Sequence, residues 1–280
     1  MSVKKVKKAI IPAAGCGTRF MPITKSVPKE MLVLVDKPAL HYIVEECANS
    51  GITDVRIVVR EGKESIVNYF TPSPSDTPEL KNLLEKVNVS FAWQKTPRGT
   101  GDTIMLCRDF VKDEPFAVLF GDDVMYVEDD KRPVTKQLID AYYATGGASI
   151  VGCQRTSEEV ARRCGVMIAK DAIDSKTTVI DGIIEKPQGE LPSALVSLGR
   201  FVLAPSIFEA IDLTPYTSGE AYLTDSISIL AKQKTVCAYE FEARRYDIGN
   251  KEGYLEATVE YALRDENLKG EFLEYIKRNL

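Results

Sequence analysis

The chain has 280 residues, 44% of them hydrophobic and 28% charged, with a formal net charge of −5 at pH 7. That balance is ordinary for a globular chain with a substantial core. The acidic surplus argues against a nucleic-acid binder, which carries a basic excess, and no apolar run approaches the roughly 18 residues of a membrane-spanning helix. Lys4, Lys5, Lys7 and Lys8 make a basic start, but no apolar h-region or small-residue cleavage site follows, so a solvated tail is expected rather than a signal peptide. Six scattered cysteines (Cys16, Cys47, Cys107, Cys153, Cys164 and Cys237) form no CxxC pair, so reduced thiols in a cytoplasm are expected.

Along the chain, the stretch Ala9–Glu30 comes first: a short apolar strand, then Ala13, Ala14, Gly15, Cys16, Gly17, Thr18 and Arg19, then a loop carrying Lys25, Lys29 and Glu30. Small side chains let backbone approach a ligand, and glycine permits turns that aim successive N–H groups at one point. Arg19 and Lys29 add positive charge beside that point. The chemistry suggested is a polyphosphate cradle on the backbone of Ala13, Ala14, Gly15, Gly17 and Thr18. It is neither a P-loop, since GxxxxGK[ST] is absent, nor a dinucleotide fingerprint, since the third glycine is missing and Pro22 follows. A bare GxG reads equally as a tight turn after a strand.

Next comes an amphipathic helix over Ala39–Asn49, with Leu40, Ile43, Val44 and Cys47 at helical spacing and Ser50-Gly51 ending it. A strand is predicted over Val55–Val59, helices over Glu64–Phe70 and Glu79–Lys86 separated by the loop Thr71–Pro78, a strand over Val89–Gln94, a helix over Thr103–Arg108 and a strand over Phe116–Phe120. Alternation of this kind gives βαβ units and a largely parallel sheet. Beyond it, Ser149–Gln154, Gly165–Ala169, Val179–Glu185 and Val196–Leu203 are strand-like with little helix between them, so a mixed or antiparallel extension is expected. Helices return over Ser206–Ile211, Leu223–Lys232, Gly253–Leu263 and Phe272–Lys277. No linker or repeat divides the chain. The expected fold is α/β, a Rossmann-like, mostly parallel sheet flanked by helices with a small antiparallel extension, in one domain over 1–280: a nucleotide-binding half to about residue 145, and a sugar-binding and helical part from about 146.

Histidine occurs once, at His41, which nearly excludes a His-based triad or zinc site. Catalysis must rest on carboxylates, cations and backbone. Asp122-Asp123 follow a buried strand, at the carboxyl edge where α/β ligand sites form, and carboxylates suit Mg²⁺; by themselves they read as a solvated turn. Likewise Gln94 and the glycines of Gly99-Thr100-Gly101 read as a turn before a helix, though a side-chain amide can both donate to and accept from a base edge.

The string GxGTRxxPxTKxxPKE is far more specific, and it resembles the sugar-nucleotide pyrophosphorylases, most closely the bacterial UTP–glucose-1-phosphate uridylyltransferases, over nearly the whole chain. The resemblance implies that Gln94 and Gly99 recognise uracil, Asp122 and Asp247 hold Mg²⁺, Glu185 of Glu185-Lys186-Pro187 holds the sugar, Lys186 holds its phosphate, Gly165 lies against the sugar, and Gly199-Arg200-Phe201 corresponds to a GRY motif beside it. It implies Arg19, Lys29 and Lys186 as the catalytic cations and UTP and glucose 1-phosphate as substrates, with no nucleic-acid or membrane partner and assembly as a homodimer or homotetramer. The chain departs from the family pattern at Asp102, where a histidine is usual, at Thr100, where a leucine is usual, and at Gly121, where a proline is frequent. A dTTP-using thymidylyltransferase and a catalytically silent, sugar-nucleotide-binding paralogue are the alternative readings.

Overall fold

The protein is described by a computed structural model covering residues 3–217 and 219–279. Strand β1 (Lys8–Pro12) buries Ala9, Ile10 and Ile11 completely, as a parallel strand covered on both faces requires. Three single-turn 3₁₀ segments follow, at Thr18–Phe20, Ile23–Lys25 and Lys29–Met31, and then a short hairpin of β2 (Val33–Leu34) and β3 (Lys37–Pro38). Helix α1 (Ala39–Asn49) has the bounds and the buried face its periodicity predicts, and Gly51 (φ +82°) takes the left-handed turn beyond it. Then come β4 (Asp54–Val59), α2 (Glu64–Phe70) and α3 (Pro78–Lys86), whose first turn is capped by the Thr77 hydroxyl accepting from Leu80 N–H at 3.3 Å. Strand β5 (Asn88–Trp93) leads to α4 (Gly99–Met105) and the single turn α5 (Arg108–Val111). The helix expected over Thr103–Arg108 therefore starts four residues earlier, on the glycine loop itself.

Strands β6 (Phe116–Leu119) and β7 (Asp123–Tyr126) flank Gly121-Asp122. Helix α6 (Val134–Ala144) was not among the expected elements, although Val134, Leu138, Ile139, Ala141 and Tyr142 recur at helical spacing after Pro133 and form its buried face. Strands β8 (Ser149–Arg155), β9 (Gly165–Ala172), β10 (Thr177–Glu185) and β11 (Leu195–Leu203) are the four expected in the middle, with the short turn α7 (Glu158–Ala161) before β9. Helices α8 (Ile207–Asp212) and α9 (Leu223–Ala231) precede two strands the sequence reading missed, β12 (Val236–Glu240) and β13 (Arg244–Asp247), and α10 (Lys251–Arg264) and α11 (Lys269–Asn279) end the described chain. The residues of β13, Arg-Arg-Tyr-Asp, carry no strand signature; only pairing with β7 makes them one.

The main sheet has nine strands in the order β5-β4-β1-β6-β11-β8-β12-β10-β9. It is parallel from β5 through β6, antiparallel where β11 joins β6 and β8, parallel again at β8–β12, and antiparallel out to β9. Alternate residues of one strand feed two cores. Ala9 and Ile11 pack with α1 and α6, whereas Ile10 packs with α4, α8 and α9. The loops after β1, β5 and β6 leave the same carboxyl edge, and the β11 turn around Gly199 meets them there, with Gly199 O accepting from Phe120 N–H at 2.9 Å.

One buried ion pair ties these layers together. Arg200 on β11 is fully buried and donates to both Glu46 oxygens on α1, at 3.1 Å from Nε and 2.7 Å from Nη2. Its Nη2 also donates to the Asp123 carbonyl at 2.8 Å, and Glu46 accepts from Thr135 N–H and Oγ1 on α6 at 2.9 and 2.6 Å. Arg200 is thus a structural strut beneath the site. Removing one partner of such a pair leaves an uncompensated buried charge. Arg200→Ala is expected to destabilise the protein by about 3–5 kcal/mol, read as a lowered urea-unfolding midpoint, whereas Arg155→Ala, on a surface pair with Glu240, should shift it by about 1 kcal/mol or less.

Candidate active site

The carboxyl edge encloses a cleft of about 550 Å³, walled by the loop after β1, the end of β5 with the start of α4, the β6–β7 turn, the ends of β9 and β10, and the 220–224 segment. From the first loop Ala14, Gly15, Cys16 and Arg19 line it, together with Lys29 and Glu30. Ala13, Gly17 and Thr18 do not line it. Ala13 is buried beneath, and Gly17 (φ +65°) makes a left-handed turn and its carbonyl accepts from the Thr24 hydroxyl at 2.7 Å. Lys25 lies outside the cleft as well.

The loop is held from below by a pair the sequence reading had not foreseen. Lys63, 4% exposed, donates to both Glu30 oxygens at 2.8 Å and to the Ala13 carbonyl. Burial pushes the Glu30 carboxyl up and the Lys63 ammonium down, and the attraction between them opposes both shifts. Gly121 belongs to this packing rather than to the cleft: a Cβ there would lie 3.0 Å from the Pro12 carbonyl and 3.2 Å from Glu30 Cγ.

Asp122 and Asp247 come together although they lie in opposite halves of the sequence. Antiparallel pairing of β7 with β13 puts Asp247 opposite Asp123. A Cβ on Gly249 would lie 2.7 Å from Asp122 Oδ2 and 2.9 Å from Asp247 Oδ1, so the two carboxylates converge over a residue that offers no side chain. Hard oxygen donors in such a number suit Mg²⁺, which takes one or two carboxylates and fills its remaining positions with water and phosphate. The donor set therefore fits the ion. Asp123 is used differently. Only 4% exposed, it makes a 2.5 Å charge contact with Arg245 Nη2, and Gly199 (φ +57°) leaves space for its carboxylate, which a Cβ would strike. Gly199 thus supports the acidic pair as well as lining the cleft.

Lys29 is ion-paired with Asp122. Burial works against charge on both groups, but Asp122 and Glu30 hold the Lys29 ammonium above its ordinary value, and Lys29 with Arg245 holds the Asp122 carboxyl below the usual range. Burial and the neighbouring Asp122 and Asp247 charges push Asp123 up to about 6 despite Arg245. Net charge is acidic over the chain, yet Arg19, Lys29, Lys186, Arg163 and Arg245 all face this cleft.

On the opposite wall, Gly165 opens β9 against Glu185 at the end of β10. A Cβ at Gly165 would meet Ile183 Cγ2 at 2.9 Å and Thr224 Cγ2 at 3.1 Å. The Thr224 hydroxyl donates to Glu185 Oε2 at 3.2 Å, so it orients a carboxylate as well as standing at the start of α9. Lys186 has left-handed backbone (φ +44°), rare for a residue with a side chain, and is pinned there by its N–H donating to the Cys164 carbonyl at 3.0 Å.

Gln94, just past β5, is 3% exposed and its amide is oriented by Asp102: Nε2 donates to Asp102 Oδ2 at 2.9 Å, while Oε1 lies 3.2 Å from the Thr103 hydroxyl, whose hydrogen also faces the Gly99 carbonyl at 3.0 Å. Gly99 (φ +93°) is close-packed, since a Cβ would overlap the Ala221 backbone, which is stitched to α4 by Ala221 N–H donating to Arg98 O and Gly101 N–H to Ala221 O, both at 2.8 Å. Sequence reasoning did not assign Phe120, Arg163, Ser197 or Arg245 to the cleft; none belongs to a motif, and long-range pairing alone puts them there. His41 is far from this chemistry, buried on α1 with Nδ1 2.9 Å from the Tyr69 hydroxyl. It stands near Glu45 and Glu79, but Lys37 is ion-paired with Glu79 and supplies the cation there.

Comparison with known proteins agrees with this architecture. Residues 8–264 match the family model described as nucleotidyl transferase. The chain is 44% identical to UTP–glucose-1-phosphate uridylyltransferase 2 of Staphylococcus saprophyticus, covering 99% of each chain, and 40% identical to UTP–glucose-1-phosphate uridylyltransferase of Bacillus subtilis, covering 98% of this chain and 97% of that one. It superposes with a TM-score of 0.87 and 36% identity on the crystal structure of UDP-glucose pyrophosphorylase complexed with UDP-glucose, covering 93% of this chain and 100% of the other. With a mixed sheet, a glycine-rich loop facing an acidic pair across one cleft, and this likeness over its whole length, the chain belongs to the nucleotidyl transferase family.

Proposed function

We propose that this nucleotidyltransferase joins UTP and α-D-glucose 1-phosphate to give UDP-glucose and pyrophosphate. The observation that carries the reading is a single cleft with cations on two walls, Arg19 and Lys29 beside Gly15 on one side and Lys186 with Arg163 on the other, together with the Asp122–Asp247 pair. The relatives named for this reaction support the choice of substrates.

The bond made is between a phosphate oxygen of the sugar phosphate and the α-phosphorus of UTP; the bond broken joins that phosphorus to the oxygen bridging to the β-phosphate, which departs with pyrophosphate. The attacking oxygen is already anionic near neutral pH, so the protein must position and neutralise rather than remove a proton. A histidine held outside the cleft is consistent with that. The Ala14–Gly15 backbone takes the triphosphate, Arg19 and Lys29 offset the charge growing on pyrophosphate, and Lys186 aligns the sugar phosphate for in-line attack. Glu185, oriented by Thr224, and Gly165 hold the glucose; Gln94 and the α4 loop at Gly99 read the base. Mg²⁺ on Asp122 and Asp247 would draw the anionic phosphates together and screen their mutual repulsion.

Cytoplasmic work as a homodimer or homotetramer belongs to the same reading. All six cysteines are free, which suits a reducing compartment, and among the described residues no helix is long and apolar enough to cross a membrane. The cleft side chains needed for chemistry are present together, which favours an enzyme over a silent binder. Gly121, packed against Pro12 and Glu30, does not line the cleft.

Pyrophosphate release with glucose 1-phosphate and Mg²⁺ should favour UTP clearly over dTTP, ATP, CTP and GTP; a dTTP preference would reassign the nucleotide. Lys186→Ala should lower kcat/KM by about 10²-fold or more while leaving the unfolding midpoint unchanged, because its ammonium is exposed and only loosely paired with Glu185 at 3.5 Å. Asp122→Asn should abolish Mg²⁺-dependent turnover, and EDTA should silence the wild type until Mg²⁺ is restored.

A further inference from the structure

Resting on the reading above and deepening it, we propose that Asp102 is a positioning residue for base selection: it fixes which way round the Gln94 carboxamide faces the pyrimidine, and thereby sets the preference for UTP over CTP. A carboxamide has almost the same shape after its oxygen and nitrogen exchange by a half-turn about the terminal bond. Uracil presents an acceptor, O4, beside a donor, N3–H. Cytosine presents the reverse, an N4–H donor beside the N3 acceptor. A glutamine free to turn over would pair with either.

Asp102 removes that freedom. A carboxylate accepts hydrogen bonds and cannot donate them, so the Nε2–H to Oδ2 contact at 2.9 Å has only one sense. Turning the amide over would set Oε1 against a carboxylate oxygen where Gln94 is 3% exposed and the Asp102 side chain 12% exposed, with little water to relieve the repulsion. The Thr103 hydroxyl lies 3.2 Å from Oε1 and shares its one hydrogen between that oxygen and the Gly99 carbonyl at 3.0 Å, so the Asp102 contact is the one that fixes the orientation. Asp102 is itself held, since Arg98 Nη2 lies 3.2 Å from Oδ1, and it sits in the first turn of α4, where the helix favours negative charge. These contacts use one of the two Nε2 hydrogens and one lone pair of Oε1. The second of each, a donor beside an acceptor, is the complement of the O4/N3–H edge. The discrimination therefore comes from a residue that touches no substrate and acts through its neighbour.

The test is kcat/KM for UTP and for CTP, with Kd for both nucleotides by calorimetry, in the wild type, Asp102→Asn, Asp102→Ala and Gln94→Ala. An asparagine can turn either end toward Gln94, so Asp102→Asn is expected to lower the UTP:CTP ratio about tenfold or more, by weakening UTP and improving CTP; Asp102→Ala should move the ratio in the same direction. Equal losses for both nucleotides, or an unchanged ratio in both Asp102 variants, would overturn the proposal and leave Asp102 a packing residue. Gln94→Ala separates the two levels. A collapsed ratio there with an intact ratio at Asp102 rejects only the orienting role, whereas an intact ratio in Gln94→Ala rejects Gln94 as the base reader and the proposal with it.

Discussion

Two carboxylates from opposite halves of the chain, Asp122 and Asp247, meet over Gly249 because β13 lies antiparallel to β7 in one register, with Asp247 opposite Asp123. A slip of β13 by one residue would turn Asp247 to the other face. The register is fixed by more than the ladder. Arg245 on β13 reaches Asp123 on β7, Arg200 on β11 holds the Asp123 carbonyl, and Glu46 on α1 holds Arg200. Charges so far from water demand partners, and meeting that demand brings a helix, the central sheet and the β7–β13 ribbon to one place.

The same logic organises charge inside the cleft. Arginines and lysines gather on an overall acidic protein, and each would repel the others without carboxylates among them. Lys29 is held by Asp122, Lys63 by Glu30, and Arg245 by Asp123. Lys29 and Arg245 are therefore neutralised and oriented by the protein's own carboxylates, whereas Lys186 stays exposed and only loosely paired. Asp122 is paired with Lys29. On the proposed function it would also hold Mg²⁺ with Asp247, and exchange of the ammonium partner for phosphate and the ion would be a change of counterion rather than a creation of new charge.

Glycines in and beside this cleft do more than leave it open. Gly249, Gly199 and Gly99 each leave room for another part of the protein: the acidic pair, the Asp123 carboxylate and the Ala221 backbone. Several residues named by motif thus serve geometry one step removed from substrate, and Arg200 of the Gly-Arg-Phe motif is wholly structural. Asp102 follows the same pattern at the start of α4, where a departure from the family sequence is anchored to Gln94 rather than loose on the surface.

Much of this was legible in the sequence, for local reasons. Apolar spacing set α1 with its observed bounds, and β1, β4, β6 and the four middle strands announced themselves as short apolar or β-branched runs between turn residues. Motif residues Gly15, Arg19, Lys29, Gln94, Asp122, Gly165, Glu185, Lys186 and Asp247 do share one cleft. Apart from α6, whose helical spacing is itself a local signal, what failed was what depends on distant partners. Helix α4 begins at Gly99 because Ala221 packs against it, and β13, polar and charged, is a strand only beside β7. Arg245 and Arg163 reach the cleft without belonging to any local pattern, and Lys63 and Glu30 pair beneath a loop whose own sequence names only one of them. The sequence by itself determined most element types, the parallel character of the sheet's first half and the chemical inventory, since these follow from periodicity and residue type. Tertiary structure alone decided which charges neutralise one another and which glycines face ligand or protein, because those are properties of pairs brought together by non-local strand register.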